Sequence, residues 1–364
     1  MISSHQERHT AELHQMQRAI AGLLVYQDIL AGEVGSALID LLDAIANRDR
    51  SQGTALICLT AYGRFFKALA TENCSWEEYL IEQILQAENP FSLQVQNIAD
   101  FTKGSLDRHL SPALVMAARQ DLQSLYILYS HGYYIPHWVQ QVGGNPVCWA
   151  KSTRFKLPSP LDNRRAEIVS KLDCKNWGEV VDCLPNNWGD LVEDIARYYQ
   201  QTGIGIFGKY RALRWQDRLI GIRNPDRVKI DDLIGYEQQK ATLIKNTNSL
   251  LLGKPALNIL LYGGKGTGKS SLIKGLLNYY ADSQLRLIEV SKSDMRDLPL
   301  ILDRVTDLPQ KFMIFIDDLS FEADDEAFKA LKVVLEGSVT ARPANVVVYA
   351  TSNRRHLVRE YFAD

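Results

Sequence analysis

The clearest chemical signal in the chain is a glycine-rich loop in its C-terminal half. Glycines in such a loop adopt backbone angles closed to other residues and turn N–H groups inward around a phosphate. Lys269 is expected to reach the β- and γ-phosphates of a nucleotide, and the Ser270 hydroxyl to ligate Mg²⁺. The loop fits the pattern GxxxxGK[ST] and, with the serine that follows, supplies the candidate nucleotide ligands Gly263, Gly264, Lys265, Gly266, Thr267, Gly268, Lys269, Ser270 and Ser271.

The residues on both sides of the loop decide how much this match means. The apolar stretch 258–262 predicts a strand that enters the loop, and SSLIKGLLNYY predicts a helix that leaves it near Lys269. A phosphate site requires this order of strand, loop and helix, because the helix N-terminus adds its positive dipole. The competing interpretation is a glycine-rich turn before an ordinary helix, which the flanking elements disfavour.

An acidic pair follows the next strongly apolar strand. Residues 312–316 predict a buried strand that ends in Asp317 and Asp318. In proteins with such a loop, a strand beside the first presents an acidic residue at its C-terminal end, where open α/β sheets bind ligands. Asp317 is therefore expected to hold the metal, and Asp318 to orient an attacking water. Two acids in a solvated loop are the alternative, and the upstream loop disfavours it.

A third polar group stands at the end of the predicted strand NVVVYA. A side chain there faces the γ-phosphate position and can hold the lytic water, with Asn353 as first choice and Thr351 as second. An asparagine after a strand is also a common turn residue, and this alternative stays open. The catalytic candidates are Lys269, Asp318 and Asn353, and the metal candidates are Ser270 and Asp317.

Hydrophobic periodicity divides the chain into parts of different architecture. Residues 1–200 predict a mainly α-helical N-terminal domain, since apolar residues recur at three- and four-residue spacing. Residues 201–225 are interpreted as a connecting segment. Residues 226–364 alternate short apolar strands with helices, which predicts an α/β fold with a parallel sheet covered by helices on both faces. Breakers divide the N-terminal helices at Gly32, Gly35, Gly53, Pro90 and Pro112.

Composition limits the class of protein. The 364 residues carry 41 basic and 43 acidic side chains, and the formal net charge of −2 gives no global reason to expect nucleic acid or an anionic membrane as partner. The five cysteines are scattered and never in CxxC spacing, so neither a disulfide framework nor a zinc site is indicated. A polar N-terminus argues against a signal peptide, and no apolar run approaches the roughly 20 residues of a membrane helix. We therefore expect a cytoplasmic protein without a membrane partner.

Taken in this order, the loop, the acidic pair and the polar strand end resemble the P-loop nucleotide-binding module of AAA+ ATPases. The resemblance includes the segment IDDLIGYE, residues 230–237, which precedes a predicted helix over residues 239–250. In AAA+ modules the matching segment packs on the adenine, so the resemblance implies that Gly235 and Tyr236 lie near the base. It also implies ATP and Mg²⁺ as ligands, and a homo-oligomer formed through this domain.

A more specific similarity, over roughly residues 200–364, is to a bacterial family of predicted AAA+ ATPases filed as a domain of unknown function. It is carried by LLYGGKGTGKSSLIKGLL, FIDDLSFE and VYATSNRRHL. Many AAA+ modules carry Asp-Glu where this chain has Asp317 and Asp318, and Glu322 ranks below Asp318 as catalytic base. The resemblance implies a further helix with an arginine finger, a fifth strand and a helical lid after the last residue, so a truncated module is expected. Turnover is then expected to be weak, since an arginine finger contributes about 10³ to 10⁵ in rate in GTPases.

The leading hypothesis is a Mg²⁺-dependent ATPase that couples hydrolysis to remodelling or loading of an unknown protein client. The alternative is an ATP-bound switch or scaffold with little hydrolysis. A GTPase is disfavoured because the chain has no NKxD motif, and a kinase because no acceptor pocket can be located. Loading onto nucleic acid is a further alternative. Its support is a short basic run, Arg354, Arg355, His356 and Arg359, and such runs usually form a solvated surface. Arg354 and Arg355 directly follow Asn353 and are expected to lie at the surface or near the nucleotide rather than to act as an arginine finger.

Overall fold

The computed structural model describes residues 2–47, 52–98, 106–147, 187–281, 283–319 and 343–353. Its contacts divide the chain into two units, Met1–Gln200 and Gln201–Asp364. Glu322 and the basic run that begins at Arg354 lie outside the described residues.

The described part of the N-terminal unit is helical. No helix among the described residues is long and apolar enough to cross a membrane. The last helix of the unit, α9, runs across the boundary at Gln200. The helices are α1 (Ile2–Ala21), α2 (Glu33–Ala46), α3 (Gln52–Glu72), α4 (Trp76–Gln86), α5 (Pro90–Gln96), α6 (Leu106–His109), α7 (Pro112–His131), α8 (Ile135–Gln141) and α9 (Val192–Thr202).

Three of the five predicted helix breakers lie at helix starts, and two do not. Gly32 is the N-cap of α2, and Pro90 and Pro112 are the first residues of α5 and α7. At the first position of a helix the N–H group makes no helical hydrogen bond, so proline, which has none, is tolerated there. The predicted breaks at Gly35 and Gly53 are wrong, because both residues lie inside helices. Gly35 serves a close contact instead, since a Cβ atom there would lie 2.4 Å from backbone of the preceding turn.

The C-terminal unit is an α/β domain built on a six-stranded sheet. The strand order is β2-β1-β4-β5-β6-β3, and neighbouring strands are parallel except for the antiparallel pair β1 and β2. The α/β class is confirmed, and the pairs among β3, β4, β5 and β6, within residues 226–364, are parallel as predicted. The sheet as a whole is mostly parallel, because the antiparallel pair lies in the preceding segment. The strands are β1 (Ala212–Gln216), β2 (Arg218–Gly221), β3 (Ile259–Tyr262), β4 (Leu285–Glu289), β5 (Lys311–Ile316) and β6 (Val346–Ser352), and the helices are α10 (Gly205–Lys209), α11 (Glu237–Leu251), α12 (Lys269–Tyr279) and α13 (Leu298–Val305).

The segment 201–225, predicted to be a connector, forms part of this domain. It contains α10 and the two strands β1 and β2, and β1 pairs with β4 inside the sheet. Trp215 of β1 is buried, and its indole N–H donates to Asp297 at 2.9 Å. The two strands are short and joined by a tight turn at Asp217, whose φ is 56°. Arg214, Gln216 and Arg218 interrupt the apolar residues here, so neither strand contains the continuous apolar run by which β3 and β5 are recognised.

Helices cover both faces of the sheet. Alternate side chains of β5 enter two separate apolar clusters, one shared with α13 and the other with α11 and α12. Burial on both faces explains why β5 is continuously apolar from Phe312 to Ile316 rather than alternating. The side chains that face α13 are Phe312, Ile314 and Ile316, and those that face α11 and α12 are Met313 and Phe315.

The strand register brings the ends of β5 and β6 to one level. Ile316 pairs with Ala350, so the next residues, Asp317 and Thr351, lie side by side at the C-terminal edge of the sheet. β3 pairs with the opposite side of β6 and ends at the same edge, because the three strands are parallel. The acidic pair therefore does not follow a strand beside β3, as predicted, since β6 lies between them.

A buried tyrosine joins β6 to α11. The Tyr349 hydroxyl is 2.9 Å from both Asn246 Nδ2 and Thr247 Oγ1. The Asn246 side chain also donates to the carbonyl of Leu257 at 2.7 Å and accepts from its N–H at 2.8 Å. Asn246 thus holds Leu257, just before β3, against α11, and Tyr349 holds β6 against the same helix.

Replacing Tyr349 by phenylalanine removes this hydroxyl and little else. We expect Tyr349→Phe to lower the free energy of unfolding of the C-terminal unit by about 1–3 kcal/mol, because the buried Thr247 and the half-buried Asn246 on α11 lose a partner. Tyr262→Phe is the matched control, since Tyr262 lies on neighbouring β3 with 54% of its surface exposed. Urea denaturation followed by circular dichroism compares the two. Equal stability of both variants would contradict the role given to Tyr349.

Candidate phosphate-binding site

The glycine-rich loop connects β3 to α12 in a conformation that glycine makes accessible. Gly263, Gly266 and Gly268 have φ values of 150°, 79° and 80°. A Cβ atom at Gly266 or Gly268 would meet nothing within 4 Å, so backbone angle rather than space requires glycine there. The Thr267 hydroxyl donates to the carbonyl of Gly264 at 2.9 Å and closes the loop on itself.

Lys269 is the first residue of α12, and its side chain folds back over the loop. The ammonium group donates to the carbonyl oxygens of Gly263 and Gly264 at 3.0 and 2.8 Å. It also donates to Asn353 Oδ1, at the end of β6, at 3.1 Å. One lysine therefore joins the loop to the polar strand end that was predicted to face the γ-phosphate.

Ser270 and Asp317 meet directly although they lie on different elements. The Ser270 hydroxyl donates to Asp317 Oδ1 at 2.7 Å. A hydroxyl and a carboxylate are hard oxygen ligands, and Mg²⁺ is usually bound by one or two carboxylates together with the phosphates of its substrate. The pair thus fits a Mg²⁺ site of the kind that nucleotides complete.

Asn353 bridges Lys269 and Asp318. Its amide oxygen accepts from the lysine, and its Nδ2 donates to Asp318 Oδ1 at 2.6 Å. The amide is oriented by charge, with its oxygen towards the cation and its nitrogen towards the carboxylate. Asp318 has a φ of 54°, in the left-handed region that few residues other than glycine adopt.

Thr351 lies beneath the acidic pair and is 1% exposed. Its hydroxyl donates to Asp317 Oδ1 at 2.5 Å and accepts from the backbone N–H of Asp318 at 2.9 Å. Thr351 had been the second choice for holding a water, and the structure places its hydroxyl against the acidic pair instead. The next serine, Ser352, is buried too, and its hydroxyl donates to the carbonyl of Leu319 at 2.6 Å.

The segment predicted to pack on a base, residues 230–237, contacts α12, the helix that follows the loop. Gly235 and Tyr236 have φ values of 83° and 62° and precede α11, and Tyr236 is 44% exposed. Upstream of them, Ile230 is buried against α12, where a Cβ atom on Gly275 would lie 3.2 Å from the Ile230 nitrogen. The start of this segment thus packs against α12, the same helix that follows the glycine-rich loop.

The structure joins all the predicted catalytic and metal-binding residues in one hydrogen-bonded network. The polar side chains of two predicted nucleotide ligands near Lys269 and Ser270 lie outside this network. Lys265 in the loop is exposed, Ser271 in the first turn of α12 is half-buried, and neither side chain hydrogen-bonds to the network within the described part of the chain. The members of the network are Lys269, Ser270, Asp317, Asp318, Thr351 and Asn353.

The fold and the site define an α/β domain with a glycine-rich strand–loop–helix unit at the C-terminal edge of its sheet. A family model described as a protein of unknown function (DUF815) matches residues 208–364, which begin before β1 and include the whole network. This agrees with the predicted similarity to a family of unknown function over the C-terminal part of the chain. No curated protein matches the chain.

Two glycines with similar backbone angles, one in the loop and one outside it, allow phosphate binding by the loop to be distinguished from the backbone strain that any side chain would introduce. Gly268 has a φ of 80° and Gly253, which follows α11, a φ of 66°, and neither leaves a Cβ atom in contact with other groups. We expect Gly268→Ala and Gly253→Ala each to lower the free energy of unfolding by about 1–2 kcal/mol.

Only Gly268→Ala is expected to weaken the binding of inorganic tripolyphosphate, because only Gly268 orients the N–H groups that begin α12. Isothermal titration calorimetry of both variants and the parent measures this. Parent-like affinity of Gly268→Ala, or equal losses in both variants, would show that the loop does not bind phosphate.

Proposed function

We propose that the C-terminal unit is a Mg²⁺-dependent ATP-binding and ATP-hydrolysing module of the AAA+ type of P-loop NTPase. The observation that carries this proposal is the network in which Lys269, Asp317 and Asp318 meet beside the glycine-rich loop. A cation for the phosphates, hard oxygens for the metal and a second carboxylate for water are the parts that phosphoryl transfer to water requires.

The loop would bind the triphosphate through backbone and side chain together. The first N–H groups of a helix have no partner inside it, and in α12 they follow directly from the left-handed Gly268. Lys269 would exchange its bonds to the loop carbonyls for the β- and γ-phosphates. Gly235 and Tyr236 would contact the base, since the half-exposed tyrosine ring offers a flat apolar surface.

Ser270 and Asp317 would hold the metal. When bound, Mg²⁺ would neutralise charge on the β- and γ-phosphate oxygens. The hydrogen bond between the two side chains keeps their oxygens together before any ligand arrives, so binding requires little rearrangement of the chain.

Asp318 would position the water for hydrolysis. The water oxygen forms a bond to the γ-phosphorus while the bond from phosphorus to the β–γ bridging oxygen breaks, and the Asp318 carboxylate accepts the proton that the water loses. Asn353 holds this carboxylate through Nδ2 and keeps it at the same edge as Lys269. Positioning and charge stabilisation by the chain, rather than covalent chemistry, would supply the rate.

A second candidate function is an ATP-bound switch with little hydrolysis. The side chain of Asp318 is one methylene shorter than the glutamate that many AAA+ modules carry, and one of its oxygens is already engaged by Asn353. Both features favour slow turnover. In either case the module would act as a homo-oligomer on a protein client, and loading onto nucleic acid is the outcome that a salt-dependent DNA affinity would reveal.

Binding of Mg-ATP to a lysine variant tests the proposal at its first step. We expect Lys269→Ala to raise the Kd for Mg-ATP by at least about 10-fold, because hydrogen bonds between charged groups contribute about 1.5–3 kcal/mol each. Lys254→Ala removes an exposed lysine from the turn after α11 and is expected to bind like the parent. Equilibrium dialysis gives the three constants, and a Lys269→Ala variant that binds Mg-ATP as tightly as the parent would sink the proposal.

A further inference from the structure

We infer that Thr351 is a positioning residue of this site, whose buried hydroxyl sets the carboxylate of Asp317 and the backbone of Asp318 at once. The inference rests on the proposed function and assigns a role that the glycine-rich loop and the acidic pair do not themselves define. Thr351 would contact neither nucleotide nor metal, and would act through Asp317, which holds the metal, and Asp318, which positions the water.

The hydroxyl of Thr351 has a fixed direction. It donates its proton to Asp317 Oδ1 and uses a lone pair to accept from the N–H of Asp318. A hydroxyl group carries one donor and two acceptor positions, so this pair of bonds fixes its rotation. Because the side chain is 1% exposed, water does not compete for either bond.

The two carboxylate oxygens of Asp317 have different hydrogen-bond partners. Ser270 and Thr351 both donate to Oδ1, and within the described residues no hydrogen bond is made to Oδ2. The arrangement leaves Oδ2 as the oxygen for a cation or its water shell. Ser270 is itself a proposed metal ligand, so Thr351 supplies the contact to Asp317 that is not engaged by the metal.

The bond to Asp318 holds an unusual backbone angle. Asp318 adopts a φ of 54°, and its N–H points at the Thr351 hydroxyl. Residues other than glycine keep such angles when surrounding contacts hold them. The Leu319 N–H also donates to the Thr351 carbonyl at 2.7 Å, and Asn353 Nδ2 donates to the Asp318 carboxylate, so the hydroxyl is one of several contacts that hold this segment. It is the one that contacts both acidic residues, and its loss is expected to affect metal binding and water positioning together.

Three variants separate this role from packing. Thr351→Val keeps the shape of the side chain and removes the hydroxyl, whereas Thr351→Ser keeps the hydroxyl and removes a methyl group. Ser352→Ala is the matched control, because Ser352 is the next residue of β6 and its buried hydroxyl donates to the main-chain carbonyl of Leu319. Thr351→Ala replaces Thr351→Val if the valine variant does not fold, as judged by thermal melting.

The Kd for ATP is measured for each variant by calorimetry in EDTA and in saturating Mg²⁺, and the turnover rate in Mg²⁺. We expect Thr351→Val to bind ATP in EDTA as the parent does, while its gain in affinity on adding Mg²⁺ falls by about 10-fold or more, as for other partners of metal ligands. Its turnover rate is expected to fall as well. Thr351→Ser should restore both properties, and Ser352→Ala should match the parent in both, whatever its melting temperature.

Parent-like Mg²⁺ dependence in Thr351→Val would overturn the inference, as would an equal loss in Ser352→Ala. A different result marks failure of the proposed function itself: the parent chain would then bind ATP neither in EDTA nor in Mg²⁺. The two failures are therefore distinguishable from the parent measurement alone.

Discussion

One oxygen of the Asp317 carboxylate accepts hydrogen bonds from two hydroxyls that reach it from different elements. Ser270 belongs to α12 and donates at 2.7 Å, and Thr351 belongs to β6 and donates at 2.5 Å. The helix that leaves the loop, the end of β5 and the end of β6 are thereby fixed to one another. The sheet brings these side chains together, because parallel strands in register end at the same edge. The remaining contacts of the site, which run from Lys269 through Asn353 to Asp318, depend on these three ends staying together.

The charges of the network give a physical reason why a divalent cation would strengthen the binding of a nucleotide. Two carboxylates and one lysine lie close together, so their formal charges sum to −1 and do not favour a triphosphate on their own. The positive end of the α12 helix dipole offsets part of this charge. A divalent cation held by Ser270 and Asp317 would reverse the sign of the site and make it complementary to ATP. Within the proposed function, the acidic residues thus favour metal and nucleotide binding together rather than either alone.

The sequence predicts the parts of this site that depend on short-range patterns. The loop, its flanking strand and helix, the acidic pair after an apolar strand, and Asn353 after β6 all lie within a few residues of the element that positions them. Long-range features escaped prediction. β1 and β2 lack the continuous apolar run that marks β3 and β5, and no local pattern indicates that β6 lies between β3 and β5. The role of Thr351 was missed because all residues of β6 are buried, so alternation gives no sign of which neighbour its hydroxyl meets.

Steady-state hydrolysis of Mg-ATP per subunit, measured against protein concentration with Asp318→Asn as control, tests the central claim most directly. The account predicts a rate that rises with concentration as subunits associate. It also predicts a rate at least about 100-fold lower in Asp318→Asn, the lower range for loss of a general base, with ATP affinity unchanged. Phosphate release at the same rate in the parent and in Asp318→Asn, with ATP bound equally by both, would contradict the role of this site in hydrolysis and leave the ATP-bound switch as its function.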